Sequence, residues 1–139
     1  MELRSQIRCE TVNLLLGNHD HVVEDERNEA IRALFRRVKY LHMGKVGGRY
    51  MALCHYAMRT WPWQHHGSVH LYGHSHGNLP DDPCSLSLDV GVDTCLYGHA
   101  RYTPYSLEEV LHIVDTHKNY VPLDHHKPEA PRAGEGEAR

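Results

Sequence analysis

The apolar positions of this chain fall into short runs whose periods alternate between strand and helix. Thr11 to Leu16 is almost continuously apolar over strand length, the pattern of a strand covered on both faces. From Asp25 to about Val38, the residues Ile31, Leu34, Phe35 and Val38 recur at i, i+3, i+4 and i+7, which predicts one amphipathic helix. Tyr40–Val46 and Arg49–His55 flank Gly47-Gly48, and a Gly-Gly turn between two such runs predicts a β-hairpin. Residues 57–68, with Trp61, Pro62 and Trp63, read as irregular, and Val69–Tyr72 resumes a strand. After a turn-rich stretch to Pro83, Leu86, Leu88 and Val90 alternate with Ser85, Ser87 and Asp89, as in a half-buried strand. Ser106 followed by Glu109 forms a capping box opening a last amphipathic helix on Leu107, Val110, Leu111 and Val114. Before the first strand, Leu3 and Ile7 stand four apart, consistent with the last turns of a helix. Alternating elements of this kind predict an α/β fold.

Composition bounds the picture. The 139 residues suffice for one domain and not for two of typical size. Beyond Tyr120 the composition shifts to Pro, Gly, Glu, Ala and Arg, so residues 1–121 are expected to form the domain and 122–139 a disordered tail. With 15 Lys+Arg against 18 Asp+Glu there is no global attraction to a polyanion. Arg32, Arg36, Arg37 and Lys39 alternate with apolar Ile31, Leu34 and Phe35 and read as a solvated face, so bulk nucleic-acid binding is not expected. Cys9, Cys54, Cys84 and Cys95 have no CxxC spacing, and Cys54 reads as a small core residue. No signal-type apolar region follows Met1 and no stretch approaches membrane-spanning length, so a cytoplasmic chain with no membrane partner is expected. Histidine is the outlier: 14 residues, which raises the expectation of a metal site without locating it.

Two short words locate one. Gly17-Asn18-His19-Asp20 follows the first predicted strand, and Gly73-His74-Ser75-His76-Gly77 follows Val69–Tyr72. Between them, Cys54-His55-Tyr56 ends another apolar stretch. Strand ends are where α/β sheets place ligands, and an amide oxygen with several imidazoles there can converge on a divalent cation. Taken singly, the first word is an ordinary turn and the second a polar loop. Their order, with His55 between them, resembles the calcineurin-like metallophosphoesterases. The stretches LCHYAMRTW, HHGSVHLYGHSHG and SLDVGVD resemble the small phage- and bacteria-type branch, over about residues 13–114.

That resemblance implies a four-layer α/β/β/α sandwich and hydrolysis of a phosphomonoester or phosphodiester by metal-activated water. It implies Asn18, His55 and His74 as ligands of the second metal and His76 as a ligand of the first, with Mn, Fe, Ni or Zn as candidate ions. His19 would face the phosphate, stabilising charge or protonating the leaving group, and Asp20 would cap the following turn. His66 and His70 would either line the substrate cleft or pack against it. The family's DxH and GD-containing motifs, which supply the remaining ligands of the first metal and the bridging carboxylate, do not occur. The expectation is therefore a partial sandwich missing its first strands. Such a truncated member would hold at most one ion tightly instead of two and would show doubtful activity alone. Its Val12–Leu16 strand would be left as an unpaired edge that drives homo-oligomer formation. A phosphoester small molecule or nucleotide is the expected substrate. The competing reading is a non-catalytic metal-binding or assembly protein that retains half of the site; a histidine-rich metal buffer is a third.

Overall fold

The structure is a computed structural model that describes Arg4 and residues 6–123. Its first strand, β1 (Asn13–Leu15), lies parallel to β2 (Arg37–Lys39), with Leu14 opposite Val38. Between them run two single-turn helices, α1 (His21–Glu24) and α2 (Glu29–Arg32). The single amphipathic helix expected over 25–38 is thus not formed. The Asp25 carboxylate accepts the Arg27 N–H at 3.0 Å, a local turn that competes with helix, and Asp25 itself is extended. Farther on, Arg36 N–H donates to the Val12 carbonyl and Leu16 N–H to the Lys39 carbonyl, so strand pairing claims residues 36–39. Arg36, Arg37 and Lys39 are exposed, while Arg32 is half-buried and donates to the Val23 carbonyl. The four basic residues therefore do not share one helix face.

The Thr11–Leu16 run is also shorter as a strand than expected, and it is not covered on both faces. Asn13 is exposed, Leu14 and Leu15 are half-buried, and only Leu16 is buried. The β1–β2 sheet has two strands among the described residues, too few to enclose an apolar strand.

The second sheet has the order β3-β4-β5-β6. Strand β3 (Leu41–Val46) and β4 (Arg49–Cys54) form the expected hairpin, with Val46 opposite Arg49. Gly47 and Gly48 turn it at φ values of 58° and 83°, the left-handed conformation a two-residue hairpin requires. A 3₁₀ turn (Gln64–His66) leads into β5 (Val69–Tyr72), which runs parallel to β4, and β6 (Ser87–Asp89) runs parallel to β5. After a second 3₁₀ turn (Leu96–Gly98) comes α3 (Leu107–Asp115). Its capping box is formed: Glu109 N–H donates to Ser106 Oγ at 3.2 Å, and Ser106 N–H to Glu109 Oε2 at 2.7 Å.

Helix α3 buries Val110, Ile113 and Val114; Val110 and Ile113 pack with Leu88, and Val114 with Met51, Ala52, Trp61, Val69 and Leu86. Ile113 takes the buried place the sequence pattern assigned to Leu107, which is exposed over the Gly47 turn. Beyond the helix, buried His117 donates Nδ1–H to the Ser85 carbonyl at 2.7 Å, and Val121 N–H donates to the Cys84 carbonyl. The expected tail falls almost wholly outside the described residues, which end at Leu123. Asp89, expected on the polar face of a half-buried strand, is buried. Among the described residues no helix is long and apolar enough to cross a membrane.

Candidate metal centre

Strands β4, β5 and β6 run in one direction, so the residues that follow them share one end of the sheet. His55 follows β4, the Gly73–Gly77 loop follows β5, and Gly91 and Asp93 lie just beyond β6. The N–H groups of Gly73 and His74 both donate to the His55 carbonyl, at 3.1 and 2.9 Å, which clips the loop to the end of β4. From the other sheet, β1 delivers Gly17 and Asn18. A Cβ at Gly17 would stand 2.7 Å from Cε1 and Nδ1 of His55 and 2.8 Å from its Cγ. Only glycine admits the imidazole this close to the end of β1.

The outcome is a triangle of donor atoms from three separate segments. Asn18 Oδ1 and His55 Nε2 are 2.8 Å apart, His55 Nε2 and His74 Nδ1 are 3.0 Å apart, and His74 Nδ1 and Asn18 Oδ1 are 3.2 Å apart. A single proton on His55 Nε2 can serve two of these edges, and the third then sets two lone pairs against each other. A cation serves all three. Donors on bonds of about 2.1 Å stand about 3.0 Å apart at right angles and about 3.4 Å apart at the tetrahedral angle, so the edges match three adjacent positions of a six-coordinate ion. Burial, then the neighbouring His74, lowers the His55 pKa below the ordinary imidazole value, partly offset by Asp20, which favours the unprotonated ring that ligation needs. Tyr56 packs on both rings, 5.0 Å from His55 and 4.7 Å from His74 by centroids. Among the described residues no three His, Cys, Asp or Glu side chains come together as a cation site; the third member here is an amide.

His76 is not part of the triangle. Its Nδ1 lies 2.5 Å from Asp93 Oδ2, and this carboxylate raises the His76 pKa. Buried Asp89 holds the surrounding backbone, accepting Gly77 N–H and Gly91 N–H at 3.0 Å each on its two oxygens. Sequence reasoning missed Asp89, Asp93 and Tyr56 as site residues. The two carboxylates lie in the SLDVGVD stretch and Tyr56 adjoins His55, so adjacency was the available signal.

The other candidates are placed as follows. His19 is exposed on the turn after Asn18. Asp20 does not cap α1 with its side chain; its Oδ2 reaches back to accept Gly17 N–H at 2.8 Å, closing the turn that presents Asn18. His70 does not line a cleft: it is fully buried, with Nδ1–H on the Ala52 carbonyl at 2.9 Å and Nε2 accepting Met58 N–H at 3.0 Å. Period-two alternation puts it on the sheet face covered by Trp61, 5.3 Å from its ring. His66 is exposed beside His65 in the 3₁₀ turn that precedes β5, at the opposite end of that strand from His74. Cys54 is half-buried. Comparison with protein-family models, with curated proteins and with solved structures finds no match for this chain.

Proposed function

We propose that the chain is a metal-dependent phosphoesterase of the calcineurin-like kind, with Asn18, His55 and His74 as its cation ligands. The observation that carries this reading is the donor triangle, because its members come from three strand ends spread over 56 residues of sequence. The sandwich expected of such enzymes finds support in the two sheets, which enclose a cleft of about 300 Å³ lined by Leu14 and Leu15 on one side and Met51 and Leu53 on the other. All three ligands are neutral, so a bound divalent ion keeps its full charge toward an anionic substrate. Such an ion supplies Lewis acidity toward a phosphoryl oxygen and toward water. Amide-oxygen and imidazole donors suit Mn, Fe, Ni or Zn. Gly17 and the Asp20 turn hold Asn18 in place, and the His55 carbonyl holds the loop that carries His74. In this reading His19, exposed beside Asn18, would stabilise phosphate charge or protonate a leaving alkoxide. A phosphomonoester or phosphodiester, nucleotides included, is the substrate class.

The test is equilibrium dialysis against Mn²⁺ together with hydrolysis of an aryl phosphodiester. The wild type should hold about one ion per chain and show weak turnover, and His74→Ala should lose both. Failure of Mn²⁺, Fe²⁺, Ni²⁺ and Zn²⁺ alike to bind in a His74-dependent manner would overturn the reading. One observation favours a second reading, a non-catalytic metal-binding or assembly protein: among the described residues no carboxylate joins the triangle. His74-dependent binding with no turnover of phosphomonoesters or phosphodiesters would select it.

A further inference from the structure

Three features of the loop after β5 have no role in the donor triangle. His76 has a left-handed backbone, φ 50°, a conformation that side-chain-bearing residues adopt at a cost and that concentrates at functional sites. Buried Asp89 holds that conformation by accepting the next N–H, from Gly77, and ties it through Gly91 to the chain beyond β6. From that same segment Asp93 reaches back to His76 Nδ1. Beside a carboxylate that can only accept, Nδ1 must carry the proton, and in the neutral ring Nε2 is then a lone pair. Among the described residues nothing hydrogen-bonds Nε2, and 60% of the side chain is exposed. His76 follows His74 by two residues on the loop that the His55 carbonyl holds.

Resting on the proposed metal centre, we infer that Asp93 is a positioning residue, fixing His76 in the Nδ1–H tautomer so that its Nε2 ligates a divalent cation at that centre. A carboxylate on the far nitrogen of a ligating imidazole sets the ring's tautomer and orientation and raises its basicity; removing such a partner typically weakens metal binding about 10- to 100-fold. Asp93 does this from 17 residues away, across the β5–β6 junction.

Two measurements on the full chain test the assignment. Long-range ¹H–¹⁵N correlation spectra of the metal-free protein, at a pH where the ring is neutral, should show His76 as the Nδ1–H tautomer. Asp93→Ala should revert it to Nε2–H, while Asp93→Asn, whose amide oxygen still accepts, should keep it. Calorimetric titration with Co²⁺ should then show binding about 10- to 100-fold weaker in Asp93→Ala, with most of the loss recovered in Asp93→Asn. In a His76→Ala background Asp93→Ala should cost nothing further. An Nε2–H tautomer in the wild type, or an equal loss in the His76→Ala background, would overturn the proposal, the latter showing a merely structural role. Wild-type Co²⁺ affinity in Asp93→Ala, with binding still lost in His74→Ala, overturns this proposal alone. No Co²⁺ binding by the wild type overturns this proposal, and failure of Mn²⁺, Fe²⁺, Ni²⁺ and Zn²⁺ as well removes the metal centre.

Discussion

A single methyl group added at Gly17 tests how the two sheets build the centre. Gly17 is not in the left-handed region, so alanine can adopt its backbone, and only the His55 ring stands in the way. The new Cβ would meet three ring atoms at 2.7, 2.7 and 2.8 Å. Carbon contacts settle at about 3.5–4.0 Å, so the ring must retreat by about 0.8 Å or β1 must move away from β4. Either shift breaks edges of 2.8 and 3.0 Å that His55 makes to Asn18 and His74. Overpacking of this kind costs about 1–3 kcal/mol. We expect Gly17→Ala to lower urea-unfolding stability by about that amount and Mn²⁺ affinity at least about tenfold, equivalent to about 1.4 kcal/mol. The double-mutant cycle isolates the cause. With the ring removed in His55→Ala, the same alanine should be neutral or stabilising by about 0.4–1 kcal/mol, through its effect on the unfolded chain. Wild-type stability and Mn²⁺ affinity in Gly17→Ala would refute the argument. So would an equal loss of stability with and without the His55 ring.

Four further outcomes are expected. His70→Leu removes the partner of one backbone carbonyl and one backbone N–H in the core, and should cost about 3 kcal/mol or more in urea unfolding; a cost under about 1 kcal/mol would contradict the buried placement. Burial lowers the folded-state pKa of His70 below 6.5, so the unfolded chain takes up the proton first. Its contribution to stability is complete above pH 6.5 and is lost as pH falls toward the folded value. Stability measured at pH 7.5 and 5.5 should therefore drop more in the wild type than in His70→Leu, and the reverse order would contradict the reasoning. Ser106→Ala removes one half of the α3 capping box and should cost about 1 kcal/mol in thermal unfolding, with an unchanged midpoint counting against it. Among the described residues β1 has a strand partner on one side only. Sedimentation at micromolar concentration should therefore show a dimer or larger species that Leu15→Lys returns to monomer, and a monomeric wild type would refute association through that edge.

The features legible in the sequence are those whose physics is local. A Gly-Gly pair makes a hairpin turn wherever it lies between two strand-like runs, and Ser106 with Glu109 caps a helix by contacts three residues apart. Asn18, His55 and His74 were singled out by the family resemblance of their motifs, since each motif alone reads as an ordinary turn or polar loop. The run from Asp25 to Val38 misled because its helical period is real but weak. A side-chain turn at Asp25 and pairing of residues 36–39 with β1 together outweigh it.

The sequence by itself therefore determined the β3–β4 hairpin, the β5 strand and the last helix with its cap. Tertiary structure decided what each of them faces. It buried His70 among backbone partners while leaving His66 at the far end of β5, and it drew Asp89 into the core as a clamp on the loop. It also set Asp93 on His76 and made Gly17 the point where one sheet meets the other's imidazole. The physical reason is separation along the chain. The contacts that join Asn18 to His74, or Asp93 to His76, exist only once parallel strands are in register, and no period or turn rule reaches across 56 or 17 residues.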